Sequence, residues 1–308
     1  MIPGLSSANA QFVTAIDNLQ TQLSNTQEQL STGLSVNKAS DAPAELGDIF
    51  QSRANLASAN QETQNLTNVQ AIVNAGDSSV QTAVQLMQNA LTIGSQGANS
   101  GTTPVTMTGL ATQVQALLSQ MVSLTQTQVS GVYIFSGDDP SQPPYQLDPA
   151  SPTGVQQLVT AAATQQIADP NGVTFPISLT AQQVFDAKDA MGNPTAQNVF
   201  AALTNLQTAL QSGNTANVTA ALDGVTSASA YLNQQLAFYG TAENRITSAL
   251  DLAQKFQVQD QTQLSNLQDA NVAQLAVQLQ QESTDLNAAL AAQAKRPTST
   301  LFNYLPTS

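Results

Sequence analysis

The stretch LSTGLSVNKASDAPAELGDIFQSRANL, Leu30 to Leu56, separates two runs that read as long helices, and its reading decides the fold. Before it, apolar residues fall at Phe12, Ile16, Leu19, Leu23 and Leu30, with Thr26 in the slot between the last two. Alternating steps of four and three residues place these side chains on one stripe of a helix, the pattern of a coiled coil that wants a partner. Gly33, Asn37 and Pro43 then break the rhythm. Ser40 or Asp41 is placed to cap a new helix whose first turn would hold Glu45, where a negative charge suits the helix dipole. Lys38, Asp41, Glu45, Asp48 and Arg53 crowd this break in a chain otherwise short of charge.

Working outward, a second helical pattern runs from about Ala44 to Ile93, with Leu66, Val73, Val80 and Met87 seven apart and Val84 and Leu91 in the companion register. Gly76, in NAGDSS, is expected to mark a kink. After the turn GSQGANSGTTPVT a third pattern covers roughly Met107 to Val129. Short loops between long helices imply antiparallel neighbours. Composition changes at SGVYIFSGDDPSQPPYQLDPASPTG, where Val132 to Phe135 is β-prone and Pro, Gly and Asp follow. A β-rich insertion is expected to about Pro194, with DPNG turning a hairpin between Gln165-Gln166-Ile167 and Val173-Thr174-Phe175. Helical periodicity resumes at Val199 and continues through Leu203, Leu206 and Leu210, then from Leu222 past Phe256 into a closing stripe of Leu275, Leu279, Leu286 and Leu290. Pro297 ends it, and the tail retains Leu301, Phe302, Tyr304 and Leu305.

Composition removes whole classes of function. The chain has no cysteine and no histidine, which excludes disulfides, thiolate and imidazole catalysis and nearly every zinc or copper site. With a net charge of −13 and basic residues scattered singly apart from Lys295-Arg296, it lacks the clustered cations that nucleic acid or an anionic membrane requires. The N-terminus shows no Sec-type signal pattern. Only 9% of residues are charged, so amides and hydroxyls solvate the surface and copies could pack closely at little electrostatic cost. Asp138, Asp139 and Asp148 match no calcium-loop spacing. The acid pairs Asp186 with Asp189 and Glu282 with Asp285 lie at i, i+3 on stripes read as solvent-facing, a poor setting for acid–base catalysis. No catalytic residue, cofactor or metal is assigned.

The Leu30–Leu56 segment resembles the N-terminal signature of bacterial flagellins and their relatives, with Leu30, Ser31, Gly33, Ala39, Asp41, Ala42 and Arg53 in place and Pro43, Ala44 and Glu45 departing from it. YGTAENRITSAL resembles a C-terminal helix of that family through Gly240, Asn244 and Arg245, and the closing helix matches through Asp269, Ala273, Leu275, Leu286, Ala289 and Leu290. GVYIFSG, Gly131 to Gly137, and the ending TLFNYL are most similar to the hook-associated protein 3 branch, which joins hook to filament.

The resemblance implies a mainly α chain with a small β-rich insertion: an elongated, flagellin-like antiparallel helical rod built from both termini. The expected parts are terminal coiled-coil assembly helices at 1–42 and 270–308, a helical rod domain at 43–137 and 195–269, and an outer domain at 138–194. Phe12, Ile16, Leu19, Leu23, Leu30, Leu275, Leu279, Leu286, Leu290, Leu301, Phe302, Tyr304 and Leu305 would form the subunit interface. Gly33, Lys38, Asp41, Arg53, Asn244 and Arg245 would act as hinge and polar contacts. Implied partners are a preceding hook-associated protein, flagellin, copies of the chain in a ring, and a cytosolic export chaperone, with no nucleic acid and no membrane. The implied place is the extracellular flagellum, reached by type III export. A divergent flagellin that forms the filament is the alternative.

Overall fold

The computed structural model describes residues 3–294, so Pro297, Leu301, Phe302, Tyr304 and Leu305 lie outside the described residues. The elements are α1 (Pro3–Thr32), α2 (Leu46–Gly97), α3 (Pro104–Thr125), β1 (Gln128–Val129), β2 (Val132–Tyr133), β3 (Tyr145–Leu147), β4 (Val155–Gln157), β5 (Gln166–Ala168), β6 (Thr174–Pro176), α4 (Ala181–Phe185), α5 (Val199–Gln211), α6 (Thr215–Gln268) and α7 (Val272–Ala294). The chain is mainly helical, as the periodicity implied. It divides into two compact units, one from the described parts of residues 1–58 and 256–308, the other from residues 59–255.

The larger unit is built on heptads. Leu66, Val73, Val80 and Met87 of α2 are buried, as are Val218, Val225, Leu232, Tyr239, Ile246 and Ala253 of α6. Leu66 packs with Ala249 and Ala253, Gly76 faces Tyr239 and Gly94 faces Leu222, so residue numbers fall on α6 as they rise on α2 and the two helices run antiparallel. Gly76 marks no kink: α2 is continuous through it, and the glycine is there because a Cβ would sit 2.3 Å from Tyr239 Cε1. The missing side chain lets the tyrosine ring close the gap between the helices.

α3 starts on the Thr103 cap, whose hydroxyl accepts from Thr106 N, with Pro104 in the first turn. It ends at Thr125 rather than near Val129. The Thr125 and Thr127 hydroxyls donate back to the carbonyls of Val122 and Leu124, taking up acceptors that the helix end leaves open. Residues 128–129 then pair with 132–133 across Ser130 and Gly131, both at positive φ (54° and 80°), the backbone a two-residue hairpin turn demands.

In the insertion β3 pairs with β4 and β5 with β6, all antiparallel, with Ile167 opposite Phe175 as the DPNG turn predicts. Its aromatic residues continue the helical core. Phe135 packs edge-on to Phe185 at 5.5 Å between centroids, and Tyr145 and Phe185 lie 5.2 and 6.1 Å from Phe200 of α5. Beneath them Asp186, 2% exposed, accepts from Tyr145 Oη (2.7 Å) and Asn198 Nδ2 (2.6 Å) and pairs with Lys188 Nζ at 2.6 Å. Asp186 was expected on a solvent-facing stripe; it is buried because it caps the short helix α4 and pins the insertion to the start of α5.

Candidate assembly surface at the chain ends

The two terminal helices are the candidate site. α1 and α7 pack together, and in α1 the stripe residues Phe12, Ile16, Leu19, Leu23 and Leu30 are half-buried while Thr26 is buried. On α7 Leu275 is buried, Leu279 and Leu286 are half-buried, and Leu290 remains 47% exposed. The stripes predicted from spacing therefore meet one another within the chain. A two-helix contact covers only part of each side chain; full burial of a leucine or phenylalanine is worth about 1.5–3 kcal/mol, and part of that remains available to a further partner.

The pair is fixed at its base by backbone chemistry. α1 ends on Gly33, at φ 72°, whose N–H donates to Gln29 O (2.8 Å) and whose carbonyl accepts from Ala270 N (2.9 Å). Leu34 bridges Asp269 in antiparallel fashion, Ser35 N donates to Gln268 O (2.7 Å), and Gln268 Nε2 reaches Val36 O (3.2 Å). The break between α1 and α2 is thus stitched to the break between α6 and α7. The first break carries glycine and proline; the second, at 269–271, where the resemblance set the boundary of the closing helix, has neither, and Asn271 caps α7 by accepting from Gln274 N at 3.1 Å.

Lys38 and Asp41 are brought together here. Asp41 Oδ2 accepts from the backbone N–H groups of Lys38 (2.8 Å) and Asn37 (3.0 Å), and those bonds hold its carboxyl below the usual carboxylate range. Its carboxylate therefore caps the turn before it. Neither Ser40 nor Asp41 caps α2: that helix begins at Leu46, and the Glu45 carbonyl accepts its first bond, from Ile49 N at 3.0 Å. Lys38 Nζ forms an exposed ion pair with Glu28 Oε2 at 2.7 Å, whose carboxylate raises the ammonium pKa. Arg53 lies exposed on α2 and does not join this cluster, and Asn244 and Arg245 belong to the other unit. There the Arg245 guanidinium lies 4.3 Å from the centroid of Phe175, covering a buried ring.

Sequence reasoning missed one feature of the terminal pair. Glu282, expected to face solvent beside Asp285, is 7% exposed and sits between the helices, its Oε1 accepting from Thr26 Oγ1 (3.2 Å) and Gln278 Nε2 (2.8 Å). The signal was present: Glu282 falls in the slot of the α7 stripe between Leu279 and Leu286.

Elsewhere the carboxylates are spent on loops. Asp138 Oδ1 accepts from Ala162 N, Asp148 Oδ1 from Ala150 N, and Asp189 Oδ1 from Met191 and Asn193 N. No group of three or more metal-ligating side chains occurs among the described residues. No described helix is long and apolar enough to cross a membrane.

Residues 6–139 match the family model of the bacterial flagellin N-terminal helical region. No curated protein sequence matches the chain. Among solved structures, one described as a flagellar hook-associated protein from Vibrio parahaemolyticus is 16% identical with a TM-score of 0.65, covering 74% of this chain and all of its own. Flagellar hook-associated protein 3 from Legionella pneumophila is 13% identical with a TM-score of 0.60, over 71% of this chain and 98% of that one. FlgL from Bacillus cereus is 16% identical with a TM-score of 0.55, over 71% of this chain and 100% of that one. Residues 6–139 are thus similar to the bacterial flagellin N-terminal helical region, and the chain has the fold found in structures of flagellar hook-associated proteins.

Proposed function

We propose that this protein is a structural subunit of the bacterial flagellum, an adaptor at the junction between the hook-associated ring and the flagellin filament. The observation that carries this reading is the match of fold over essentially the full length of hook-associated protein structures, joined to a flagellin family match over residues 6–139. The role is architectural and involves no catalysis. Residues 1–42 and 270–308 form the assembly layer, 43–137 with 195–269 the rod, and 138–194 the outer domain.

In the assembled state the half-covered stripe of α1 and α7 meets neighbouring chains, as do Leu301, Phe302, Tyr304 and Leu305. Those neighbours are a preceding hook-associated protein, copies of this chain in a ring, and flagellin. The Gly33–Asp41 turn acts as the hinge between the terminal helix α1 and the start of α2. Before assembly the exposed part of the stripe would self-associate, which is the physical motive for a cytosolic export chaperone and for passage through the flagellar export channel.

Electron microscopy of the purified chain, with and without hook and filament fragments, tests the proposal. Binding confined to hook or filament ends is the expected result. Long filaments of the pure protein would instead identify a flagellin, and failure to bind either end would remove the flagellar reading.

A further inference from the structure

The repetitive stripes of α1 and α7 pose a register problem. Leucines at steps of three and four would pair almost as well if one helix slid by seven residues along the other. The structure holds one register: Thr26 opposes Glu282, and the Leu34–Asp269 bridge lies further along in the opposite direction on the two helices, so they run antiparallel. At the polar layer Thr26 is 2% exposed and Glu282 7%, and Glu282 Oε2 is buried without a hydrogen-bond partner. The ion pairs among the described residues are Lys38 with Glu28 and Lys188 with Asp186, so this buried carboxylate lacks a cation.

That arrangement is costly where a leucine in the same slot would be favourable. Desolvating a carboxylate without a counter-charge works against the pair, and each buried acceptor left unmade adds to the penalty. The cost depends on register. A slip of seven residues would set Glu282 against Leu19 or Gly33 instead of Thr26, losing the 3.2 Å bond and burying the carboxylate against positions with no side-chain donor.

We propose that the Thr26–Glu282 layer is a register lock: it reinforces along the helices the alignment that the Gly33–Ala270 and Ser35–Gln268 backbone bonds begin at the base and, through the same desolvation cost, keeps the pair easy to open. The inference concerns the chain by itself and stands or falls separately from its place in the flagellum. Polar residues within a coiled-coil seam are known to trade stability for alignment in this way.

The test uses the full chain, whose lack of cysteine makes engineered pairs unambiguous. From the Thr26–Glu282 contact, Leu23→Cys with Leu286→Cys reports the observed register and Leu23→Cys with Leu279→Cys reports the seven-residue slip. In the parent background only the first pair should form a disulfide. Glu282→Leu should let the slipped pair form as a minority, since the backbone bonds at the base still favour the observed register, and without any cysteines should slow amide exchange in α1 and α7 by about tenfold. Glu282→Gln, which keeps an acceptor for Thr26, should hold the observed register. A slipped pair that stays reduced in Glu282→Leu, or exchange in α1 and α7 that becomes faster, overturns the proposal.

Discussion

Gly76 offers the sharpest test of how the larger unit is packed. In an unconstrained helix interior Gly76→Ala should stabilise by about 0.8–1 kcal/mol, because alanine loses less conformational freedom on folding. Here the added Cβ would stand 2.3 Å from Tyr239 Cε1, 2.8 Å from Cζ and 3.1 Å from Cδ1, against about 3.5–4.0 Å for ordinary carbon contact. The ring must retreat by more than 1 Å. It has little room to do so: Tyr239 is fully buried, its hydroxyl lies 3.4 Å from Leu179 N, and its ring meets Phe238 edge-on at 5.3 Å. Overpacking costs about 1–3 kcal/mol, and a contact this short against a fully buried ring belongs in the upper part of that range, about 2–3 kcal/mol, so a net loss of about 1–2 kcal/mol survives the helix-propensity gain. At about 2–4 °C per kcal/mol for a domain of this size, Tm falls by about 2–8 °C. Gly224→Ala is the control, since nothing lies within 4 Å of its added Cβ; it should raise Tm instead. Thermal unfolding followed by circular dichroism reads both variants, with Tyr239→Leu added to Gly76→Ala to recover part of the loss. If Gly76→Ala raises Tm as Gly224→Ala does, the close approach of α2 to α6 is not as described.

Other consequences can be measured separately. Asp186→Ala should destabilise the larger unit by about 3 kcal/mol, because it strands the Lys188 ammonium and removes the acceptor of Tyr145 and Asn198; chemical denaturation checks this. Burial raises the pKa of Tyr239, Tyr145 and Tyr231, with the nearby Asp186 adding to the rise at Tyr145. Their folded pKa values exceed the unfolded value near 10, so the stability they contribute is intact below that pH and is lost as pH rises above it. An alkaline titration should show part of the tyrosinate absorbance arriving only with the loss of helical signal. Arg245→Lys should cost less than about 1 kcal/mol in thermal unfolding, since the exposed guanidinium covers Phe175 without a charged partner of its own among the described residues. Asp41→Ala should speed amide exchange at Asn37 and Lys38 while leaving α2 protected, because the carboxylate bonds to that turn and not to the helix start.

Much of the fold was legible because its helices obey simple periods. Residues 66, 73, 80 and 87 announce a buried face before any partner is known, and the terminal stripes, spaced by fours and threes, do the same. The DPNG hairpin and the Gly33 break were likewise readable, since turn geometry depends on a few local residues whose conformational limits are intrinsic. Local spacing failed where the environment decides. Gly76 has the same sequence signature as a helix weakener and as a close-contact site, and only Tyr239, 163 residues away along the chain by difference of the two numbers, distinguishes them. The break at 269–271 has no proline or glycine; Asn271 caps α7 there, and Gly33 O and Ser35 N take up the Ala270 N–H and the Gln268 carbonyl, partners that lie far away in the sequence.

The candidate surface divides in the same way. Sequence alone determined that the chain has two apolar stripes, no cysteine or histidine and a net charge of −13, since these follow from residue identity and spacing. Only the tertiary structure decided that the stripes pair with each other, which alignment they take, and that Glu282 and Asp186 are buried rather than solvated. Burial is a property of what lies opposite, and a one-dimensional pattern specifies which face wants covering without specifying what covers it.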